Sequence, residues 1–481
     1  MILALDQGTT SSRAIVFDPS GRPLGVGQIE LPQSYPRPGW VEHDPEVIWD
    51  TQLEAARAAL GEARANPRDI LGIAIANQRE TVIVWERATG HPIHHAIVWQ
   101  DRRTADRCVE LASAAERVRH VSGLELDPYF SAAKIAWILD HVEGARARAK
   151  RGELAAGTVD SWLIWRLTGG LHATDRTNAS RTSLMNLEKG RWDSGLCELF
   201  GVPPNLLPEI CGSTVGFGAA RADWFGVELP ILAVAGDQQA ALAGHGADRP
   251  GLAKNTYGTG CFLLAHTGSR RPRSAHRMLE TAAAWPSESF ALEGAVFVAG
   301  AAVQWLRDGL GAIETSAEVE ALAASVPDAA GVRFVPAFVG LGAPYWDPEA
   351  RGTIVGLTRG ATKAHLALAT LESIAHQTCD VLEAMTADGG AVAELRVDGG
   401  AAANDLLMQM QADLAGIPVL RPAMLETTAW GAAALGLAAS GRSSGLPALP
   451  VDRVFEPRLS PDLRTSSRAA WASAVRQARA G

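Results

Sequence analysis

The stretch Asp6-Gln7-Gly8-Thr9-Thr10-Ser11-Ser12-Arg13 joins two apolar segments, Ile2–Leu5 and Ala14–Phe17. This arrangement predicts a strand, a tight turn and a second strand. The N–H groups and hydroxyls of such a turn can bind phosphate oxygens. Asp6, at a strand end, can hold Mg²⁺, usually through water. A plain hairpin in which Asp, Ser and Thr make turn hydrogen bonds explains the same residues about equally well.

A second strand and acidic turn occur near the middle of the chain. The apolar segment Ile231–Ala235 ends at Gly236-Asp237-Gln238-Gln239, and an alanine-rich helix follows. Asp237 would face a cleft from a helix N-terminus, where the helix dipole favours a carboxylate. Helix capping by itself is the commoner reason for an aspartate at such a place.

A third junction follows the predicted strand Glu394–Val397. The chain turns through Asp398-Gly399-Gly400-Ala401-Ala402-Ala403-Asn404 into a predicted helix over 402–414. Small residues here would let a flat ring approach the backbone, and Asn404 could hydrogen-bond an adenine or ribose edge. A tightly packed strand–helix turn is the alternative.

Composition limits the class of protein. A chain of 481 residues is too long for one hydrophobic core. Its net charge of −9 argues against nucleic acid or an anionic membrane as partner. Five scattered cysteines without a CxxC pair indicate reduced thiols. We find no P-loop, dinucleotide fingerprint or zinc-binding H-E-x-x-H motif. With an acidic residue at position 6 and no apolar run of about 20 residues, we expect a cytoplasmic protein without a signal peptide or integral membrane segment.

The three strand–turn junctions together resemble the two phosphate loops and the adenosine loop of the actin, hexokinase and heat-shock-70 ATPase superfold. The resemblance implies an α/β fold of two ribonuclease H-like domains that close over ATP in a central cleft. Phosphoryl transfer fits these elements, because it needs a metal, a phosphate-binding turn and a carboxylate that positions the hydroxyl. Glycine and proline within 247–251 favour a short connection there. We therefore expect an N-terminal domain over 1–246 and a C-terminal domain over 247–481.

Seven segments resemble the glycerol kinases of the FGGY family of carbohydrate kinases, in a match from about Ile2 to about Ala439. They are Pro38-Gly39-Trp40-Val41-Glu42-His43-Asp44-Pro45, Asn77-Gln78-Arg79-Glu80-Thr81, Ile97-Val98-Trp99-Gln100, Asp127-Pro128-Tyr129-Phe130-Ser131, Gly236-Asp237-Gln238-Gln239, Asn255-Thr256-Tyr257-Gly258-Thr259-Gly260-Cys261-Phe262 and Gly340-Leu341-Gly342-Ala343-Pro344-Tyr345-Trp346-Asp347-Pro348. Related ketopentose kinases carry a Gly-Gln-Met-His type of turn where this chain has Asn-Gln-Arg-Glu. The resemblance therefore rests on substrate residues as well as on the fold.

The resemblance implies phosphorylation of glycerol by ATP with Mg²⁺, giving ADP. Arg79 would supply donors and Glu80 acceptors to vicinal hydroxyls, although an isolated Arg–Glu pair on a turn is usually a solvated charge pair. By resemblance, Tyr129, Asp237 and Gln238 are further polar partners, and Asp237 is also the catalytic carboxylate and, with Asp6, a metal residue. Trp99 and Phe262 would form an apolar wall for the carbon chain. A kinase of a pentulose or tetritol, or an ATPase that uses the cleft as a switch, are the alternatives.

The resemblance also implies the nucleotide contacts. The residues along the phosphates would be Thr9, Thr10, Ser11 and Arg13, and those around the rest of the nucleotide would be Thr259, Gly300, Gln304, Gly400 and Asn404. Family members are commonly dimers or tetramers, so we expect a homodimer or homotetramer. Asp101 and Trp430 depart from the family pattern, and neither is assigned a role.

Overall fold

The computed structural model describes residues 1–286, 288–443, 445–447 and 449–480. The strands of the first half are β1 (Ile2–Gln7), β2 (Ser11–Phe17), β3 (Pro23–Glu30), β4 (Glu42–His43), β5 (Ile73–Asn77), β6 (Val82–Glu86), β7 (Ala96–Ile97), β8 (Leu154–Thr158), β9 (Ala173–Asp175), β10 (Met185–Asn186), β11 (Arg191–Trp192), β12 (Glu209–Cys211), β13 (Ala219–Ala220) and β14 (Leu229–Gly236). Those of the second half are β15 (Leu252–Tyr257), β16 (Cys261–Gly268), β17 (Leu279–Ala282), β18 (Phe290–Val296), β19 (Arg333–Val335), β20 (Thr353–Val355), β21 (Glu394–Asp398), β22 (Val419–Pro422) and β23 (Val451–Phe455).

The helices cover the faces of these sheets. They are α1 (Pro45–Glu62), α2 (Ala105–Glu110), α3 (Ala115–Ser122), α4 (Ser131–His141), α5 (Ala145–Lys150), α6 (Val159–Thr168), α7 (Arg176–Ala179), α8 (Ser194–Phe200), α9 (Ala222–Phe225), α10 (Asp237–Gly244), α11 (Gly300–Asp308), α12 (Glu318–Ala324), α13 (Lys363–Ala387), α14 (Asp405–Ala415), α15 (Thr427–Ala439) and α16 (Pro461–Arg479). In the described part of the chain, none is long and apolar enough to cross a membrane.

Local sequence explains where several helices begin. Asp44 caps α1, because its carboxylate accepts the Glu46 N–H at 2.9 Å and Pro45 occupies the first helical position. One sequence-based helix boundary was wrong. The helix expected over 402–414 begins only at Asp405, because Asn404 caps it through the Leu407 N–H at 2.8 Å.

The two large sheets repeat one topology. In the first, β1 pairs antiparallel with β2 and parallel with β5, β2 pairs with β3, and β14 lies parallel to β5. In the second, β15 pairs antiparallel with β16 and parallel with β21, β16 pairs with β18, and β22 lies parallel to β21. The resulting orders, β3-β2-β1-β5-β14 and β18-β16-β15-β21-β22, are equivalent. The chain therefore contains two copies of one α/β arrangement.

Helices α10 and α15 follow the last parallel strand of each copy and pack against each other. A Cβ at Gly431 would lie 1.7 Å from the Ala240 carbonyl oxygen, and one at Gly244 would lie 2.2 Å from that of Thr427. Glycine is thus required for the close crossing. Helix α15 also packs on the first sheet, where Trp430 meets the Phe17 ring edge-on at 5.5 Å. Trp430 is consequently a core residue of this junction.

Candidate active site

Three neighbouring parallel strands end together at the site. Gln7 of β1, Asn77 of β5 and Gly236 of β14 are register partners. The Gln78 N–H donates to the Gln7 carbonyl at 2.7 Å, and the Gln78 amide donates to the Gly8 carbonyl at 2.9 Å. The turns after these strands therefore meet at the carboxyl edge of the sheet, where open α/β folds bind ligands.

A buried polar network fixes two of these strand ends. The side-chain amides of Asn178 and Asn77 exchange hydrogen bonds of 2.9 and 3.0 Å. The Thr177 hydroxyl accepts the Gly236 N–H at 2.8 Å. Asp175 holds both residues, accepting the N–H groups of Thr177 and Asn178 at 2.9 Å each. The turn after β5 and the turn after β14 are therefore held in one geometry.

Arg79 and Glu80 are buried and belong to a ring of four charges. The Arg79 guanidinium donates to both oxygens of Glu293 at 2.6 and 2.9 Å, and its Nε lies 3.1 Å from the Asp237 carboxylate. Glu80 accepts from Arg181 at 2.6 Å, and Arg181 donates to Glu293 at 3.2 Å. Arg79 Nε lies 3.9 Å from Glu80, which closes the ring. The pair is therefore not solvated.

Glu293 and Arg181 are site residues that sequence reasoning missed. Burial by itself would raise the pKa of Glu293, but Arg181 and Arg79 outweigh it and hold that pKa at about 2. Burial raises the pKa of Glu80 despite the opposing charges of Arg181 and Arg79. The available signal was that Glu293 is the only charged residue of the strand Phe290–Val296. Such a residue in a buried strand needs a partner.

Asp237 is the first residue of α10, and its side chain is 31% exposed. Its carboxylate accepts the Gln238 N–H at 2.7 Å. Burial raises the pKa of Asp6 to about 6; Arg13 opposes this shift and Asp237 adds to it. Two carboxylates thus face the same region. The described residues contain no group of three or more His, Cys, Asp or Glu side chains suited to a metal. A pair of carboxylates fits Mg²⁺, which retains waters and takes phosphate oxygens.

Gln238 lies beside a buried lysine of the second half. Lys254 Nζ donates to the Gln238 Oε1 atom and, at 2.8 Å, to the Thr256 hydroxyl. Burial lowers the pKa of Lys254 to about 8, against the opposing effects of Asp398, Asp237 and Glu293. Sequence reasoning gave Lys254 no role.

Trp99 lies against Tyr129, which the family resemblance assigns as a polar partner and not as part of the apolar wall. Their rings meet edge-on at 5.6 Å. The Trp99 Nε1–H donates to the Thr9 hydroxyl at 2.9 Å, which links this wall to the first turn. Phe262 is half-buried on β16, paired in register with Thr256.

The turns that follow β1 and β15 lie at equivalent places in the two sheets. The Gly8 N–H donates to the Ser11 carbonyl at 3.0 Å, and Thr10 is exposed. In the turn after β15, the Gly300 N–H donates to the Gly258 carbonyl at 3.0 Å, and the Ala301 N–H donates to the Thr259 carbonyl at 3.1 Å. A Cβ at Gly300 would lie 2.6 Å from the Gly258 oxygen, so this approach of α11 to the turn requires glycine.

The remaining predicted nucleotide residues lie nearer the surface. Gln304 on α11 and Gly400 after β21 are exposed. Asn404 uses its carbonyl oxygen to cap α14, so its NH₂ group is the part left for a ligand. Arg13 is engaged by protein groups: its guanidinium donates to Gln28 at 3.0 and 3.2 Å and pairs with Glu426.

Comparison with known proteins gives consistent matches along the chain. Residues 1–244 match the N-terminal domain, and residues 253–440 the C-terminal domain, of the FGGY family of carbohydrate kinases. The chain is 56% identical to proteins named glycerol kinase from Polaromonas naphthalenivorans and Ralstonia nicotianae, over 99% of this chain and 99% and 98% of theirs. The crystal structure of Plasmodium falciparum glycerol kinase with ADP superposes with a TM-score of 0.93 at 32% identity, covering 99% of this chain and 98% of that one.

Proposed function

The chain belongs to the FGGY family of carbohydrate kinases, and from this premise we propose that it is a glycerol kinase. It transfers the γ-phosphoryl group of ATP to a terminal hydroxyl of glycerol and gives sn-glycerol 3-phosphate and ADP. The fold expected from the sequence, two ribonuclease H-like domains of the actin, hexokinase and heat-shock-70 superfold, is confirmed by the match to known sugar kinases.

The observation that carries the substrate assignment is the buried Arg79–Glu80 turn beside Asp237 and Gln238. Arg79 presents donors and Glu80 presents acceptors, while Asp237 adds a second acceptor. The ion pairs with Glu293 and Arg181 fix both side chains before any substrate arrives. Several fixed donors and acceptors beside the Trp99 and Tyr129 rings suit a short polyol, and in this proposal Phe262 supplies a further apolar surface.

Asp237 acts as the general base in this proposal. It lies at a helix N-terminus with a partly exposed carboxylate, and Arg79 orients it from one side. A carboxylate so placed accepts the proton of the attacking hydroxyl and aims the oxygen at the phosphorus.

Asp6 and Asp237 would hold Mg²⁺, whose charge neutralises the phosphates when it is bound. The residues that would contact the phosphates are Thr9, Thr10, Ser11 and Arg13. The groups assigned to the rest of the nucleotide are Thr259, Gly300, Gln304, Gly400 and Asn404. For Arg13 to contact a phosphate, its guanidinium must release Glu426 or Gln28.

The test of the function is the release of ADP from ATP and Mg²⁺ with and without glycerol. We expect release to depend on glycerol, with glycerol 3-phosphate as product. Preference for xylulose, ribulose or a tetritol would show a different sugar kinase. Release independent of any polyol would favour the ATPase switch.

Three further features are proposed with this function. The domains divide near Gly246, and the subunits form a homodimer or homotetramer. A cytoplasmic location is supported by the five free thiols, which are typical of reducing compartments.

A further inference from the structure

We propose that Lys254 is a positioning residue, which fixes the Gln238 side-chain amide so that its NH₂ group faces the polyol. The inference rests on the proposed function, because it assigns a donor to one hydroxyl of that substrate. Lys254 belongs to β15 of the second half, whereas Gln238 is the second residue of α10 in the first.

The Lys254 ammonium contacts one of the residues assigned to the polyol, Gln238. The ammonium is fully buried and donates to the Gln238 Oε1 atom and to the Thr256 hydroxyl. Lysine is seldom fully buried unless it is paired. Thr256 directly precedes Tyr257 and the turn at Gly258–Gly260, so the lysine also joins Gln238 to the strand that carries this turn.

The contact decides which end of the amide is free. A glutamine side chain has a carbonyl acceptor and an NH₂ donor. Because the ammonium can only donate, it takes the carbonyl oxygen, and the NH₂ group is left for a ligand. The carboxylate of Asp237, the preceding residue, can only accept. Asp237 and Gln238 together present one acceptor and one donor, which suits two adjacent hydroxyls.

Charge supports the same assignment. Burial lowers the pKa of Lys254 to about 8, so most of it stays protonated at neutral pH. The charged groups around it are Asp398, Asp237 and Glu293, which favour the ammonium, and Arg79, which disfavours it. If Lys254 only balanced these charges, the effect of replacing it would be the same with or without the Gln238 amide. If Lys254 positions that amide, the effect of replacing it disappears when the amide is removed.

The experiment measures the KM for glycerol in Lys254→Met, Gln238→Leu and the double variant. Loss of a hydrogen bond to a charged group costs about 1.5–3 kcal/mol, so we expect Lys254→Met to raise this KM roughly 10- to 150-fold. In the Gln238→Leu background the same change should alter the KM less than about threefold, because the amide to be oriented is gone. The KM for ATP should stay unchanged. Lys363→Met, at an exposed helix start, is the control. Additive effects, or an unchanged KM, overturn the proposal.

Gln238→Glu tests the inference without disturbing the lysine. The new carboxylate keeps the contact with Lys254 but has no NH₂ group, so the KM for glycerol should rise as in Gln238→Leu. A wild-type KM in this variant overturns the proposal even if Lys254→Met does not fold. Wild-type protein that fails to phosphorylate glycerol would refute the proposed function instead.

Discussion

Arg79, Glu80, Arg181 and Glu293 alternate in charge around a closed, buried ring, and the ring orients the residues assigned to the polyol. Burying four charges is costly, and their mutual attraction offsets that cost only while every member is present. The ring therefore serves to hold the Arg79 and Glu80 side chains in place more than to stabilise the fold. It also makes each member sensitive to substitution.

Replacing Glu293 with glutamine should destabilise the protein and weaken glycerol binding together. Breaking a buried ion pair costs about 3–5 kcal/mol, because the partners stay buried and unpaired. We expect a lower urea midpoint of unfolding and a higher KM for glycerol. Glu188→Gln is the control, since its pair with Arg273 is exposed and should be worth about 0–1 kcal/mol. Equal midpoints for the two variants would show that removing the Glu293 charge from the ring costs the fold no stability.

Asp237→Asn should keep nucleotide binding and lower kcat by at least about 100-fold, because asparagine cannot accept the hydroxyl proton. The measurement is steady-state turnover beside ATP affinity from equilibrium titration. Asp223→Asn, whose carboxylate pairs with Arg221 on the surface, should leave kcat unchanged. Near wild-type turnover of Asp237→Asn would show that Asp237 is not the general base and has only a structural role at the start of α10.

At the scale of elements, α10 and α15 are the equivalent helices of the two sheet copies, and their crossing joins the copies. The crossing is close because Gly244 and Gly431 bring backbone against backbone. Helix α15 belongs to the second half in sequence yet packs on the first sheet. A rotation of one half against the other must therefore be accommodated at this crossing.

Gly431→Ala should lower the free energy of unfolding by about 1–3 kcal/mol or more, since a methyl group would overlap the Ala240 carbonyl oxygen. Gly61→Ala is the matched control. It also lies in a helix but has no neighbouring atom within 4 Å of the added carbon, so its stability should be unchanged or slightly higher. Urea unfolding of both variants checks this. A Gly431→Ala protein as stable as the control would mean that the helices can separate without cost.

At the scale of the whole molecule, both halves contribute to the proposed polyol site. Lys254 and Glu293 lie in strands of the second sheet, whereas Arg79, Glu80 and Asp237 directly follow strands of the first. The substrate residues are therefore complete only when the two copies are joined.

Because the proposed site would satisfy several hydroxyls at once, propanediols that lack one of the three hydroxyls of glycerol should be poor substrates. Each missing hydroxyl leaves a buried partner unpaired, and we expect kcat/KM to fall roughly 10⁴-fold or more. Coupled assays with 1,2- and 1,3-propanediol measure this. A loss below about tenfold would mean that water replaces the missing group, and the site would not be selective for glycerol.

The sequence by itself determined the features that depend on neighbouring residues. The alternation of apolar strand and polar turn located β1, β14 and β21. Family resemblance then indicated the fold and the substrate. These signals are local, because turn chemistry and helix capping act over a few residues.

Only the tertiary structure decided which distant groups pair. Arg79 meets Glu293 across 214 positions of sequence, and Arg181 meets Glu80 across 101. No local pattern encodes such partners. The joining of the two sheet copies brings Arg79 to Glu293, and the folding of the first half brings Arg181 to Glu80. The same holds for Lys254 and Gln238, and for the glycines at the crossing of α10 and α15. For the charged and polar pairs desolvation makes the contact obligatory, and for the glycines the close backbone approach leaves no room for a side chain. Both conditions exist only once the chain is folded.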